Sequence, residues 1–382
     1  MAEKLLSIII PTKDRDYYCK RVLEYMLSID DERIEYVIQN NGKSDELDSY
    51  IKKKNDNRIV YRHVYEPLCQ VENSDQAIAL SSGKYLCFIG DDDIVLPNIM
   101  QYVEYAIRNN VDNIAQKTPI SYEWPSQRRP TGRLIITLNS YSCEKIDYPS
   151  KCVTTYIRYG CCENPKDYKL PILYHGITKR KCIESVKKET GHYVGGSSPD
   201  SYTSVALAKY VINQIVINDF FSIAGACPQS ATSLNLIGGH CGTLDDAPHL
   251  KNRGNYYWDN LIPQYYSVQT IWAESSITAL RETKNILADK LNLKELFCKA
   301  YIGNRSIRKL IVKQTNISLQ QNNINRIVFW TECIPLLVYI YMLQIFKRVY
   351  ARILREMKVN KVIVISDVQD IRDCVKYIQA NR

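Results

Sequence analysis

The run KYLCFIGDDDIVLP, residues 84–97, holds the side chains best suited to chemistry: an apolar strand ends in three adjacent carboxylates, Asp91, Asp92 and Asp93. In α/β sheets, ligands sit outside the carboxyl ends of the strands. Three Asp side chains packed there repel one another until something cationic joins them, and a divalent metal carrying a diphosphate would do so. Mg²⁺ and Mn²⁺ take oxygen ligands, and Mg²⁺ typically uses one or two carboxylates with substrate phosphates completing its shell. The plainer alternative is a solvated turn or a helix N-terminus, where Asp is favoured by capping and by the helix dipole.

The elements that must position the triplet lie upstream. LLSIIIP, residues 5–11, is a near-continuous β-branched run that predicts a parallel strand buried on both faces. TKDRDYYCKRVLEYMLS predicts a helix, with Val22, Leu23, Met26 and Leu27 at helical spacing and Asp14 or Asp16 as N-cap. A second strand, 34–39, is stopped by Asn40, Asn41 and Gly42. A helix over 44–54 and a strand over 58–64 follow. SDQAIALSSGK predicts a short helix closed by Gly83 as a left-handed C-cap, and the fourth strand then ends in the carboxylates. Alternating strands and helices predict a doubly wound α/β domain.

SIIIPTKDR, VIQNNGKSDE, GKYLCFIGDDDIVLP and the later GGSSPDSY resemble, in order and spacing, the motifs of an inverting family 2 glycosyltransferase of the bacterial polysaccharide and O-antigen type. The likeness covers residues 4–105 well and extends in patches to about residue 240. It implies the GT-A fold: a Rossmann-like mixed sheet flanked by helices, here with a mainly α-helical C-terminal region. It also implies a nucleoside diphosphate sugar donor, a UDP-sugar first among them. Pro11 and Thr12 match the backbone that wraps base and ribose. Asn40, with Asn41 beside it, stands where the family usually holds an acid against the base. Asn73 or Asp75 matches a polar position facing the nucleotide, and Asp45 matches a common Asp that equally caps the next helix. The resemblance puts Mn²⁺ or Mg²⁺ on Asp93, lets Asp91 or Asp92 reach the ribose, and makes Asp91 a further ligand if the motif is read as Asp-any-Asp. His240 or His249, in IGGHCGTLDDAPH, would complete the metal shell. Otherwise that loop is a mobile cover hinged at Gly238, Gly239 and Gly242.

Inverting transfer also needs a base on the face opposite the diphosphate. Asp200, in GGSSPDSYTSVALAKY, is the candidate: Gly195 and Gly196 permit close backbone approach, and Pro199 fixes the entry to the helix that Asp200 opens. Its other reading is a helix cap with no chemistry.

At 382 residues, the chain suits two regions, a catalytic domain over 1–240 and a helical region over 241–382. No secretory signal is expected, because the apolar core before Pro11 is too short. Thirteen cysteines, an odd number without a CxxC pair, predict free thiols in a reducing cytosol, and no Cys/His spacing suits zinc. Residues 327–346 are apolar apart from Thr331, Glu332 and Gln344, with Pro335 interrupting the run. Lys347, Arg348, Arg352, Arg355, Lys358 and Lys361 follow against only Glu356. A bilayer span of ~20 residues would fit by length, but Glu332 and Pro335 argue for an interfacial helix over 327–361 on anionic headgroups or for a buried helix. Membrane contact would suit an acceptor glycan carried on polyprenyl diphosphate.

Two other classes compete. One is a non-catalytic α/β scaffold binding membrane or nucleic acid, for which a net charge of +9 and 29 tyrosines supply phosphate contacts and stacking. The other is a nucleotidyltransferase. Against the first, the positive charge gathers near the C-terminus while the pocket is acidic. Against the second, no Gly-rich, Lys- or Arg-bearing phosphate loop follows the first strand. The sequence therefore reads as a metal-dependent inverting glycosyltransferase of surface polysaccharide or lipopolysaccharide assembly, cytoplasmic or peripheral on the inner membrane face, and without a nucleic-acid partner.

Overall fold

A computed structural model describes residues 3–117, 120–127, 129–138, 142–230, 241–254, 256–356 and 361–380. Its strands are β1 (Leu6–Thr12), β2 (Ile34–Asn40), β3 (Ile59–His63), β4 (Tyr85–Phe88), β5 (Ile94–Val95), β6 (Asn113–Gln116), β7 (Ile120–Glu123), β8 (Gly132–Leu138), β9 (Glu144–Asp147), β10 (Gly176–Lys179), β11 (Asn213–Ile217), β12 (Ser222–Ala226), β13 (Cys241–Gly242), β14 (Tyr266–Ser267) and β15 (Lys361–Val368). Eight of them form one sheet in the order β3-β2-β1-β4-β10-β6-β11-β9. The first four run parallel, and β10 runs antiparallel to both β4 and β6, which makes the sheet mixed. A second sheet, β15-β8-β7-β12-β5, lies beyond it.

Strand β1 shows why this sheet is sandwiched. Alternate side chains of a strand face opposite sides. Leu6, Ile8 and Ile10 pack into one core with Val22 and Leu23 of the helix Asp16–Met26, while Ile9 faces a second core with Ala77 and Ile78 of the helix Gln70–Ala79. The helices Pro199–Leu207 and Val268–Glu282 share that second core. Strand order reverses between β1 and β4, so a crevice opens at their carboxyl ends. Thr12 ends β1 and Asp91–Asp93 follow β4 there.

Two local expectations are corrected. The first helix is capped by neither Asp14 nor Asp16: Arg15 holds the N-cap position and Asp16 lies in the first turn, while Asp14, at φ 54°, accepts a hydrogen bond from the Lys43 amide at 3.0 Å. Gly83 is not a left-handed cap. The helix Gln70–Ala79 ends on Leu80 in right-handed geometry, and Gly83 is needed instead because a Cβ there would lie 2.7 Å from the Ser7 nitrogen.

The C-terminal part is built from the helices Val268–Glu282, Leu293–Gly303, Arg308–Gln321 and Arg326–Glu356. The last runs unbroken through Pro335. Proline removes one backbone donor, and at the turn before it Thr331 donates its hydroxyl to the carbonyls of Ile327 and Val328. Beyond this helix, β15 pairs antiparallel with β8. The helix Asp373–Ala380 then joins the core of the first helix, where Arg21 pairs with Asp370 at 2.5 Å. All thirteen cysteines are free.

Candidate active site

A cavity of about 480 Å³ fills the crevice. Pro11, Thr12 and Arg15 line it from the end of β1, Asn73 from the helix Gln70–Ala79, Gly90 and Asp92 from the loop after β4, and Tyr174 and Asp200 from the opposite wall. Five residues expected from sequence, Pro11, Thr12, Asn73, Asp92 and Asp200, thus come together.

The three carboxylates part company within one turn. Asp91 is fully buried and held by a fork: Arg15 Nε donates to Oδ2 at 3.0 Å, Arg15 Nη2 reaches Oδ1, and the Thr12 hydroxyl donates to Oδ2 at 2.6 Å. Bidentate Arg–carboxylate pairs are among the stronger charge-assisted bonds. Burial opposes the Arg15 charge, but Asp91 and Asp92 more than offset it and hold the guanidinium above its ordinary range. Asp93 points into protein. Gly90 N at 2.6 Å, Gly225 N at 2.6 Å and the Tyr174 hydroxyl at 2.7 Å donate to it, and His175 Nε2 lies 3.2 Å away. Burial alone would raise this carboxyl, but His175 and the three donors hold it below the usual range. Asp92 is the member on the cavity wall. Its Oδ2 accepts from the Cys227 amide at 2.9 Å, while Oδ1 has Arg15 at 3.8 Å. Burial and the neighbouring Asp93 push its carboxyl up, with Arg15 pulling it back.

This loop is pinned by Gly225 of β12 and by Trp124, the residue after β7. Trp124 Nε1 donates to the Asp92 carbonyl at 3.0 Å, and a Cβ on Gly225 would lie 1.8 Å from that same oxygen, so only glycine fits.

Asp200 opens the helix Pro199–Leu207, whose N-cap position is Ser198. The preceding loop needs Gly196, at φ 61° and with Ser275 2.6 Å from where a Cβ would stand. Buried Glu274 fixes the loop by accepting from Ser197 N at 3.0 Å and Ser197 Oγ at 2.7 Å. Asp200 is an exposed residue where it opens on the cavity. Crowding by protein, opposed by His175 and reinforced by Asp93, pushes its carboxyl up to about 6.

The remaining expected residues stand elsewhere. Asn40 turns onto its own loop, accepting from Gly42 N at 2.8 Å and donating to Tyr61. Asn41 braces residues 64–68 through both its amide atoms. Asp75 accepts from Tyr193 N at 2.6 Å and Val194 N at 3.1 Å, which positions the strand of chain leading to Asp200. Asn73 donates to the Thr12 carbonyl at 3.2 Å and leaves its buried Oδ1 without a partner among the described residues. Asp45 holds the N-cap position of the next helix, yet its carboxylate accepts from Tyr65 at 2.8 Å. His240 lies outside the described residues, and His249 sits in a short 3₁₀ turn, Pro248–Leu250.

Asp45, Asp48 and His63 bring one ligand atom each within 4.8 Å of one another, a set able to take a divalent cation. Both His63 ring nitrogens already face oxygen acceptors there, Asp48 at 2.7 Å and the Gly42 carbonyl at 2.8 Å. Arg15, Tyr174, His175 and Cys227 are site residues that sequence reasoning missed. For Arg15 a signal existed, a cation in the turn after β1 facing an acidic loop. For the other three, the contact depends on β10 and β12 being laid beside the triplet.

Residues 7–163 match the family profile described as Glycosyl transferase family 2. WcaA of Escherichia coli, whose name assigns it to colanic acid biosynthesis, is 35% identical over 98 residues, 25% of this chain and 34% of that protein. An uncharacterized glycosyltransferase of Rickettsia prowazekii is 26% identical over 157 residues, 41% of this chain and 48% of that protein. The chain therefore spans less than half the length of either curated relative. Similar solved structures include S. aureus TarS 1–349 in complex with UDP-GlcNAc, at 13% identity and TM-score 0.46 over 84% of this chain and 93% of that one. Another is the mannosyltransferase PcManGT of Pyrobaculum calidifontis in complex with GDP-Man and Mn²⁺, at 10% identity and TM-score 0.40 over 84% and 87%. Residues 7–163, the stretch that matches the glycosyl transferase family 2 profile, supply Pro11, Thr12, Asn73 and Asp92 to the cavity.

Proposed function

We propose that the chain transfers a sugar from a nucleoside diphosphate sugar to a hydroxyl of a glycan acceptor with inversion at the anomeric carbon, in surface polysaccharide assembly. One observation carries this reading: a single cavity joins Thr12, Asn73 and Asp92 of the family-matched stretch to Asp200, a carboxylate from outside it. In the step proposed, the acceptor oxygen bonds to the anomeric carbon and gives its proton to Asp200. The bond from that carbon to the diphosphate oxygen breaks, and the electron pair leaves with the nucleoside diphosphate. Residues 1–240 are read as the catalytic region and 241–382 as its helical extension.

The acidic loop fits a divalent metal through Asp92, which lines the cavity and whose Oδ1 has Arg15 3.8 Å away. One carboxylate with phosphate oxygens is a common Mg²⁺ arrangement. Mn²⁺ or Mg²⁺ held there would supply positive charge for the leaving diphosphate. Asp91 is taken by Arg15 and Asp93 by three protein donors with His175 beside them, so we assign those two to shaping the loop. The test is thermal shift with UDP- and GDP-sugars, with and without Mn²⁺ or Mg²⁺. A donor that binds only the native state raises the melting temperature by mass action. The expected result is a shift with at least one donor that is larger with metal; no shift with any donor sinks the reading.

A second observation favours membrane contact. The helix Arg326–Glu356 contains a 29-residue stretch, Arg326–Leu354, in which an 18-residue window has mean hydropathy 1.5 and only 17% of that window is buried. Ile327, Ile334 and Phe346 are 78%, 64% and 65% exposed. Exposed apolar surface on this scale marks an interaction site, and the cations that follow suit anionic lipid at the cytoplasmic leaflet, where a polyprenyl-diphosphate acceptor would reside. Replacing Lys347, Arg348, Arg352 and Arg355 with Gln should weaken sedimentation with phosphatidylglycerol vesicles by roughly 10² to 10³, from about 1 kcal/mol per cation. High salt should release the wild-type protein. Equal sedimentation of both proteins would remove the electrostatic anchor.

A further inference from the structure

Asp200 and Tyr174 line two cavities at once. Beyond the donor cavity, a second one of about 300 Å³ opens against them, bounded by Ser201 and Ser204 of the same helix, by Trp272, and by Asn164 and Lys166 at a 3₁₀ turn. Inversion sets a geometric demand: the attacking hydroxyl and the leaving diphosphate lie on opposite sides of the anomeric carbon. A base that serves this reaction has to stand where donor and acceptor spaces meet, and Asp200 is on that shared wall.

The chemistry of the second cavity matches a sugar ring. Ser201 is fully buried, yet its hydroxyl has no partner among the described residues, an uncompensated polar group of the kind that costs stability unless a ligand supplies the bond. Ser204 lies one turn on, at the i+3 spacing that puts both hydroxyls on neighbouring positions of one helix face. A hydroxyl both donates and accepts, which suits the hydroxyls of a carbohydrate. Trp272 is half-buried and comes from the helix Val268–Glu282. Its indole gives a large flat apolar surface against which the apolar face of a pyranose packs. Lys166 makes no ion pair among the described residues and adds a donor to the lining. None of Ser201, Ser204 and Trp272 lies in residues 7–163, so the part of the chain outside the family match would choose the acceptor.

We propose that this second cavity is the acceptor site, and that it takes a pyranose at the end of the acceptor glycan, stacked on Trp272 and hydrogen-bonded to Ser201 and Ser204. The inference rests on the donor reading above. When the sugar is transferred, the acceptor O–H bond breaks towards Asp200 as the new C–O bond forms in the shared opening.

The experiment measures binding of p-nitrophenyl glycosides of glucose, galactose, N-acetylglucosamine and glucuronic acid to the full chain by saturation-transfer NMR, with UDP or GDP present. At least one glycoside should bind the wild-type protein, with its Kd raised tenfold or more by Trp272→Ala and restored to within about threefold by Trp272→Phe. Ser204→Leu, which fills the cavity and leaves residue 272 unchanged, should abolish binding and keeps the test decisive if Trp272→Ala unfolds. Nucleotide-sugar thermal shifts should stay unchanged in all three variants. Glycoside affinity indifferent to both Trp272→Ala and Ser204→Leu, displacement of the glycoside by nucleotide, or no glycoside bound would each overturn the proposal. A wild-type protein that binds glycoside but no nucleotide sugar would overturn the donor reading instead.

Discussion

Asp200→Asn should keep nucleotide-sugar affinity within about twofold of wild type and cut transfer by roughly 10² to 10⁴, the range of general base catalysis. The swap preserves shape and removes only the basic oxygen. It should not unfold the helix, because Ser198 and not Asp200 holds the N-cap position, and the Asp200 carboxylate makes no hydrogen bond among the described residues. The pH profile gives a second reading of the same group. Its carboxyl is pushed up to about 6 by the surrounding protein, opposed by His175 and reinforced by Asp93. A base works deprotonated, so wild-type turnover should climb as pH rises through about 6 and level off above it. That acid limb should vanish from the residual activity of Asp200→Asn. Turnover equal to wild type, or an unchanged acid limb in the variant, would take Asp200 out of the chemistry.

The sequence made the fold legible where the pattern is local. LSIIIPT is apolar at Leu6, Ile8, Ile9 and Ile10, and burial on both faces follows from that run. The triplet was legible as a site because clustered carboxylates after a buried strand have few structural uses. What stayed hidden was which carboxylate faces the ligand, since that depends on partners far away in the chain. Asp91 is claimed by Arg15 in the turn after β1, and Asp93 by Tyr174 and Gly225 on segments laid beside it by β10 and β12. Asn40 and Asn41 look equivalent in sequence, but Asn40 is consumed by its own loop and Tyr61, and Asn41 by residues 64–68. The two-cavity arrangement around Asp200 was equally hidden, because Trp272 arrives from a helix whose sequence shows only mixed polarity.

Asp93→Ala should cost the protein about 3–5 kcal/mol of stability, the scale of removing one partner from a buried, charge-assisted cluster. The amides of Gly90 and Gly225 and the Tyr174 hydroxyl would lose their acceptor, and unsatisfied buried donors carry their own desolvation cost. Asp92→Ala strands only the Cys227 amide, so it should cost about 1–3 kcal/mol while removing the metal-dependent part of donor binding. The pH dependence separates them further. Asp93 is held below the usual carboxyl range by His175 and its donors, against the effect of burial. Its contribution is therefore complete above the unfolded Asp value of about 3.9 and is lost as pH falls through the lower folded value. Urea midpoints taken at neutral pH and again in acid should show the gap between wild type and Asp93→Ala narrowing on acidification. If Asp93→Ala instead unfolds at the wild-type midpoint and loses only metal-dependent donor affinity, the metal sits on Asp93, and the role assigned to Asp92 passes to its neighbour.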